Sequence, residues 1–386
     1  MKVKLIILFL ILAFVVSMPF IFNKTTHPAE PHELDIDGNF IMYDWHYDDF
    51  KEGTRDGTNP DWDYNLKPVQ VSERVWCFFG AMEMPTKENA GNMANSCYIK
   101  GDTSWILWDT GASYVFAKQA YAEMKKIADL PAKTIFLSHE HDDHWLGNNY
   151  YTHEFDAKIY GPKSVNVNYL GYDAATGRKV EGTREHPPQS RMERALYQSA
   201  IRGTHLSPVD IFFDDTTEIT LHGVKIEYVK VGYVHSEEDW FLYLPDDKVI
   251  LAADVVMNGR VTSNRDGLVV GQLNALKAIN AREWDYLVPG HGFITDKTAA
   301  DETIQYFALL KDRVLEGIEE EVHPDFITKY VTLDEFRDKD LYYLLSPGNV
   351  FRSYEELEMY DGDDEEEDEE DEEEGEEEEE EEKEEE

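Results

Sequence analysis

The stretch Ser138-His139-Glu140-His141-Asp142-Asp143-His144 follows directly on an apolar run at residues 134–137. Three histidines and two aspartates this close together are costly to hold unless something binds them. Where a strand ends the backbone turns, so His139 and His141 can point one way while Asp143 and His144 point another. Imidazole nitrogens and carboxylate oxygens in this arrangement suit two adjacent metal ions. A polar, solvent-facing loop is the alternative, and the motif favours metal binding.

Three further candidate ligands stand at the ends of apolar runs elsewhere in the chain. His235 and His291 each follow such a run, and Asp254 ends the run 249–253. A lone histidine at the end of a strand is more often a surface residue than a ligand. Here the same arrangement recurs around one motif, and this repetition indicates that the residues serve a common metal centre.

Apolar runs of strand length alternate with helix-period stretches from Val71 onward. The strand-like runs are 75–79, 104–108, 134–137, 224–231, 241–244, 249–253 and 286–288, and the helical stretches are 114–129, 268–280 and 299–320. This alternation predicts a layered α/β domain. The pattern divides the chain into a leader at 1–22, an irregular acidic and aromatic segment at 23–70, a folded body at 71–345 and an acidic tail at 346–386.

The N-terminus has the pattern of an export signal. Lys2 and Lys4 precede an unbroken apolar run from Leu5 to Val16, which Ser17 follows. The pattern predicts an exported protein, whether secreted, periplasmic or anchored in a membrane. Because the apolar segment continues to Phe22, cleavage after a signal peptide and an uncleaved N-terminal anchor both stay open.

The charge of the chain is strongly negative and unevenly spread. The 386 residues hold 36 basic and 80 acidic side chains, for a net charge of −44. Residues 361–386 alone contain 23 acids and one lysine, so half of the net charge lies in a tail that we expect to be disordered. Such acidity disfavours nucleic acid and anionic membrane surfaces as partners. A small-molecule substrate is the expected partner, and the sequence gives no oligomeric state.

Two other features have open interpretations. The two cysteines, Cys77 and Cys97, lie in strand-like stretches that could pair as neighbours, so a disulfide and two buried thiols both remain open. Two cysteines cannot form a thiolate zinc cluster, so a metal would be held mainly by histidine and carboxylate. The stretch from about 161 to 207 interrupts the alternation and is unusually basic, and we interpret it as a cap-like insertion over one face.

The order of the candidate ligands resembles the metallo-β-lactamase superfamily of binuclear metallohydrolases. The matching residues are His139-x-His141-x-Asp143-His144, followed by His235, Asp254 and His291. The resemblance covers about 71–336 and includes Asp109-Thr110-Gly111, which is similar to the family's Asp-x-Gly turn. It implies a four-layer αββα sandwich with two Zn²⁺ ions per chain, other divalent metals being an alternative.

The resemblance also implies roles for single residues. His139, His141 and His235 would bind one ion; Asp143, His144 and His291 would bind the second; and Asp254 would bridge the two. Asp143 would in addition be catalytic, orienting the nucleophile and passing a proton to the leaving group. Asp109 would hold the loop that carries the histidines. Tyr233-Val234 replaces the family's usual Pro-Gly before His235, and Gly147-Asn148 replaces its usual Gly-Gly.

These roles predict a zinc-dependent hydrolase that uses a metal-activated hydroxide on a small ester, lactone, lactam or sulfate ester. A secreted metal-binding or scaffold protein without catalysis is one alternative, and a phosphodiesterase or nuclease of the same superfamily is another. A redox role is disfavoured, because His141 stands where the di-iron relatives have a glutamate.

Overall fold

The computed structural model describes residues 60–170 and 196–359, and the strands in these residues form two sheets. The first sheet runs in the order β1 to β6, namely Val69–Gln70, Val75–Phe78, Ser96–Lys100, Trp105–Trp108, Ala132–Phe136 and Lys158–Tyr160. The second sheet runs in the order β11-β10-β9-β8-β7, with β7 to β11 at Thr217–Leu221, Val224–Gly232, Asp239–Leu244, Val249–Met257 and Tyr286–His291. Every run that the sequence predicted to be a strand overlaps one.

Helices cover the outer faces of both sheets. In chain order, α1 to α7 are Tyr114–Ile127, Asn148–Phe155, Gln198–Ile201, Val269–Asn280, Lys297–Glu319, Pro324–Tyr330 and Tyr342–Leu357. Single 3₁₀ turns occur at Asp142–His144 and Asp334–Phe336, and a π-helical turn occurs at Val165–Tyr169. Helix α1 begins at Tyr114 because the Ser113 side chain accepts a hydrogen bond from the Phe116 amide at 3.0 Å.

Alternation along the strands separates the layers. In β2, Val75 and Cys77 pack into a core shared by both sheets, whereas Trp76 and Phe78 face the opposite side and pack against α1. The outer face of the second sheet packs against α4 and the start of α5. Helix, sheet, sheet and helix layers therefore follow one another, which confirms the predicted αββα sandwich.

The C-terminal part of the described chain corrects one predicted boundary. Residues 346–357, assigned by the sequence to the acidic tail, belong to α7, which packs against α5 through buried Val350, Tyr354 and Leu357. The helix is hidden in the sequence because Pro347 and Gly348, which disfavour a helix, lie in its interior. The folded body therefore continues well beyond residue 345.

The two cysteines are joined. Cys77 in β2 lies opposite Cys97 in β3 in the antiparallel register, and a disulfide connects them across the strand pair. The two stretches thus pair as neighbouring strands. Of the two possibilities that the sequence left open, a disulfide and two buried thiols, the structure contains the disulfide.

Several predicted segments lie outside the described residues. These are the export signal, most of the irregular segment at 23–70, the middle of the basic insertion at 171–195 and the tail from 360 onward. Within the described ranges, the structure contains no helix with the length and apolar character that crossing a membrane requires.

Candidate metal centre

The seven predicted ligands meet at one edge of the two sheets. The four ligands of the 139–144 motif follow strand β5 of the first sheet, in a loop and a 3₁₀ turn. The other three come from the second sheet. The residues that this edge collects are His139, His141, Asp143 and His144 from the first sheet and His235, Asp254 and His291 from the second. Residues as far apart in the chain as His141 and His235, which are 94 positions from each other, therefore touch.

Asp254 is placed by an irregularity in its strand. The sequence predicted that Asp254 would follow the end of a strand, but β10 continues to Met257 and Asp254 lies inside it. The register of β10 against β11 shifts on both sides of Ala253, whose φ is +47°. Such a bulge redirects the next side chain, and here it directs a carboxylate toward the histidines.

The seven side chains form three overlapping groups that could each hold an ion. The groups are His139 with His141 and His235, His139 with His144 and Asp254, and Asp143 with His144 and His291, and within each group the ligand atoms lie within 4.8 Å of one another. The first and third groups are the two ligand sets that the family resemblance implies. Asp254 lies between them, in contact with members of both.

The distances between ligand atoms suit a small divalent ion. Two atoms that each lie 2.0–2.2 Å from a tetrahedral zinc ion are about 3.3–3.6 Å apart. Asp254 Oδ1 lies 3.4 Å from His144 Nε2, and Asp254 Oδ2 lies 3.3 Å from His291 Nε2 and 3.1 Å from His235 Nε2. The gap between Asp143 Oδ2 and His291 Nε2 is 3.5 Å. Most of these separations lie in or close to the range expected for two ligands of one small divalent ion.

Several of these atoms are buried without a hydrogen-bond partner among the described residues. They are His139 Nε2, Asp143 Oδ2, His144 Nε2 and Asp254 Oδ1. A buried polar atom that makes no hydrogen bond costs about 1–3 kcal/mol. Four such atoms within one cluster of overlapping ligand groups are a strong sign that the chain is built to hold a ligand there, and their chemistry fits cations.

The opposite nitrogen of most of these imidazoles is held by the protein. His144 Nδ1 lies 2.8 Å from Asp109 Oδ2, His139 Nδ1 lies 2.9 Å from the Ser138 hydroxyl, and His291 Nδ1 donates to the Met93 carbonyl at 2.6 Å. Such partners fix the ring and the tautomer that presents the other nitrogen to a metal. Asp109 also accepts the Ser138 amide at 2.9 Å, so it anchors the histidine loop as the resemblance implied.

His141 is held by a residue that sequence reasoning missed. Its Nε2 lies 3.3 Å from Asp266 Oδ2, and its Nδ1 lies 2.9 Å from His235 Nε2. Asp266 is also bound by Arg265, whose Nε donates at 2.8 Å. The hydrogen bond with His141 is the main reason that the pKa of Asp266 lies below its ordinary value. No local pattern marks Asp266, because it lies in a loop 125 residues after its partner.

Two more missed residues fix the loops of the second sheet. Asp239 Oδ2 accepts the amides of Val234, His235 and Ser236 at 3.2, 2.8 and 2.7 Å, so it shapes the turn that presents His235. Asn95, just before β3 in the first sheet, donates from Nδ2 to Pro289 and Gly292 carbonyls at 2.8 and 2.9 Å. This side chain therefore forms hydrogen bonds on both sides of His291 and holds the turn that carries it.

The charges of the site suit metal binding. Burial alone would raise the pKa of Asp254, but the nearby His291, His144 and His235 outweigh it and hold that pKa well below its usual value. Burial also lowers the pKa of His235 to about 3 and that of His139 well below its ordinary value. The carboxylate is therefore ionised and these two imidazoles are neutral at pH 7, which are the forms that bind metals.

Comparisons with known proteins agree with this geometry. Residues 90–291, more than half of the chain, match the model of the metallo-beta-lactamase superfamily. A curated relative, the linear primary-alkylsulfatase of Pseudomonas sp. (strain ATCC 19151), is 26% identical over 270 residues, which cover 61% of this chain. The chain spans about half, 49%, of the length of that relative.

Solved structures of similar fold include a metallo-beta-lactamase from Pontibacter korlensis and the metallo-beta-lactamase FIM-1 from Pseudomonas aeruginosa in its mono-zinc form. Each is 17% identical, with a TM-score of 0.47 and coverage of 63% of this chain, and the match spans 99% and 95% of the two structures.

Proposed function

The chain belongs to the metallo-beta-lactamase superfamily, and we propose that it is a zinc-dependent hydrolase with two ions held by the seven residues of the candidate metal centre. His139, His141 and His235 would hold one ion, and Asp143, His144 and His291 would hold the other. Asp254 contacts residues of both sets, at 3.1 Å from His235 Nε2 and 3.4 Å from His144 Nε2. The observation that carries the proposal is that four buried ligand atoms without a hydrogen-bond partner lie within one cluster of overlapping ligand groups, among the residues that the structure describes.

A pair of divalent ions at such a centre would lower the pKa of water and polarise an oxygen of the substrate. The chain's own residues do the rest. Asp143 directs its carboxylate oxygen Oδ2 into the centre, near both His144 and His291. From there it would orient the attacking water, accept the proton that this water loses and pass the same proton to the leaving group. Asp109 and Asp266 keep the rings of His144 and His141 in place.

We propose a sulfate ester of an alkyl chain as the first substrate to test. The support is the curated relative, which is a linear primary-alkylsulfatase. Small esters, lactones and lactams are the other members of the proposed substrate class. Export of the protein also remains a proposal, and the Cys77–Cys97 disulfide supports it, since disulfides persist in oxidising compartments.

The experiment begins with metal analysis of purified protein by mass spectrometry. A panel of alkyl sulfates, lactones, thioesters, nitrocefin and phosphodiesters follows, with and without a chelator. We expect two zinc ions per chain and one activity that the chelator removes and zinc restores. His141→Ala and Asp254→Ala should lose at least about a hundredfold in kcat/KM while the far-ultraviolet circular dichroism stays unchanged. A variant with wild-type turnover at matched metal content would refute the assignment.

A further inference from the structure

The connection between β10 and α4 ends in a loop that reaches two of the predicted ligands. We call this segment, residues 262–268, the support loop. Its Asp266 holds His141, with 3.3 Å between Oδ2 and Nε2. The amide of its Leu268 donates at 2.8 Å to the carbonyl of the residue directly before His235. Both histidines belong to the ligand set of the same proposed ion.

Gly267 of the support loop packs against the backbone that presents His235. A β-carbon at Gly267 would stand 2.1 Å from the Val234 carbonyl oxygen and 3.0 Å from the His235 α-carbon. Segments packed this closely transmit a displacement to each other. A shift of the support loop would therefore move His235 as well as the carboxylate that holds His141.

Two side chains of α7 bind the backbone of the support loop. Asn349 is 1% exposed; its Oδ1 accepts the Asn264 amide at 2.7 Å, and its Nδ2 donates to the Thr262 carbonyl at 2.9 Å. Arg352 Nε donates to the Gly267 carbonyl at 3.2 Å. These bonds satisfy backbone groups that belong to no strand or helix, so they fix the path of the loop.

Glu356 of α7 fixes the point where the support loop enters α4. The residue that precedes this helix, Leu268, provides no side-chain cap. Glu356 supplies it, since Oε2 accepts the Val269 amide at 2.6 Å and Oε1 the Val270 amide at 3.0 Å. The first amides of a helix lack partners within the helix, and a carboxylate there also interacts favourably with the helix dipole.

We propose that α7 positions one of the two ions of the metal centre. Asn349, Arg352 and Glu356 are three and four positions apart, so they lie on one face of this helix. Through the support loop they hold His141 and His235, and so the ion that these two ligands bind together with a third histidine. The three side chains are positioning residues, since each acts through the loop. The inference rests on the proposed hydrolase function and adds to it the element that supports one ion.

The ligands of the other proposed ion are held by different parts of the chain. Asp109 Oδ2 lies 2.8 Å from His144 Nδ1, and the Met93 carbonyl accepts from His291 Nδ1 at 2.6 Å. Both contacts are made outside α7 and the support loop. Loss of a bond between α7 and the loop should therefore weaken one ion and spare the other.

The test measures zinc binding and does not depend on turnover. Zinc is titrated into metal-free protein in competition with a chromophoric chelator, and mass spectrometry under native conditions counts the ions per chain. We expect Glu356→Ala to weaken one ion by about fivefold, less than the loss of a direct partner of a ligand ring, and to leave the other at wild-type affinity. Glu356→Gln keeps an acceptor oxygen and should recover part of the loss. Glu358→Ala is the matched control, because this exposed glutamate accepts from Tyr354 of α7 at 3.3 Å.

Isotope-edited NMR of the histidine side chains identifies which ion is lost. In the one-ion form of Glu356→Ala, two imidazoles should remain bound to metal, whereas loss of the other ion would leave three. A double-variant cycle with Asp266→Asn adds a second readout. Because Glu356 and Asp266 act through the same loop, their effects on zinc affinity should add to less than the sum of the two.

The outcomes separate this inference from the hydrolase proposal. Wild-type protein that takes up no zinc refutes the hydrolase proposal. Two ions in the wild type, with both weakened equally or neither weakened in Glu356→Ala, refute only the positioning role, as does full additivity with Asp266→Asn. If Glu356→Ala does not fold, Arg352→Ala decides by the same comparison, since it removes one bond to the loop from a partly exposed side chain.

Discussion

Gly290 and Asp254 approach each other so closely that a methyl group has no room between them. A β-carbon at Gly290 would stand 1.8 Å from Asp254 Oδ1 and 2.8 Å from its amide nitrogen. β10 and β11 run in parallel here, so the turn before His291 lies directly against the residue that contacts both ligand sets. The glycine is what allows Asp254 and His291 to share one site.

We therefore expect Gly290→Ala to disrupt the metal centre. The carboxylate of Asp254 would have to move, and overpacking of this kind costs about 1–3 kcal/mol. Zinc content and the thermal unfolding temperature should both fall, with kcat/KM lower by at least about tenfold. Gly348→Ala is the matched control, because no atom lies within 4 Å of a β-carbon at that helical position. Wild-type zinc affinity in Gly290→Ala would contradict the prediction.

Asp266→Asn should weaken metal binding while the protein remains folded. The carboxylate holds His141 Nε2 at 3.3 Å, and removing such a partner commonly costs about 10–100-fold in metal affinity, so we expect about tenfold. Competition with a chromophoric chelator measures the affinity, and the visible spectrum of the cobalt-substituted protein reports a change at His141. Asp301→Asn, an exposed aspartate in α5, serves as the control. Identical chelator curves for Asp266→Asn and the wild type would rule out this role.

Zinc affinity should depend on pH through His144. Burial lowers its pKa, but Asp143, Asp254 and Asp109 outweigh burial and raise that pKa well above the ordinary value. The metal-free protein therefore holds a proton on this imidazole at neutral pH, and an incoming ion has to displace it. Affinity should fall about tenfold for each unit that pH drops below this pKa, at one proton per ion. Calorimetry in buffers of different ionisation enthalpy counts the protons, and a flat profile between about pH 6 and 8 would oppose the prediction.

Loss of the Cys77–Cys97 disulfide should lower stability more than activity. The bridge closes a loop with a sequence separation of 20, and loops of this size contribute about 3 kcal/mol through the unfolded chain. Its atoms pack between the sheets, away from the edge where the ligands meet. Chemical denaturation of Cys77→Ala/Cys97→Ala should show this loss, with unchanged zinc content in the folded protein. A double variant as stable as the wild type would mean that the bridge contributes nothing.

The sequence predicts the layers and the ligands more fully than it predicts what supports them. Strands such as β8 and β10 are recognisable by period and composition, and the clustered histidines and aspartates of 139–144 are hard to account for without a metal. Asp266, Asp239 and Asn95 have no such local signal, because each acts through a contact made only when distant segments pack. Asn95, for example, donates to a carbonyl 194 positions later in the chain. The helix at 342–357 escapes prediction because Pro347 and Gly348, two residues that disfavour a helix, lie inside it.

Each proposed ion takes ligands from both sheets, so its binding would affect the stability of the protein as well as its activity. One ion would take His139 and His141 from the first sheet and His235 from the second. The other would take Asp143 and His144 from the first sheet and His291 from the second. A bound ion is thus a cross-link between the two halves, and its strength varies with the supply of metal. At a free concentration about 1,000 times the dissociation constant, one ion adds about 4 kcal/mol to stability. When metal is scarce, the protein would therefore be more susceptible to proteolysis as well as inactive.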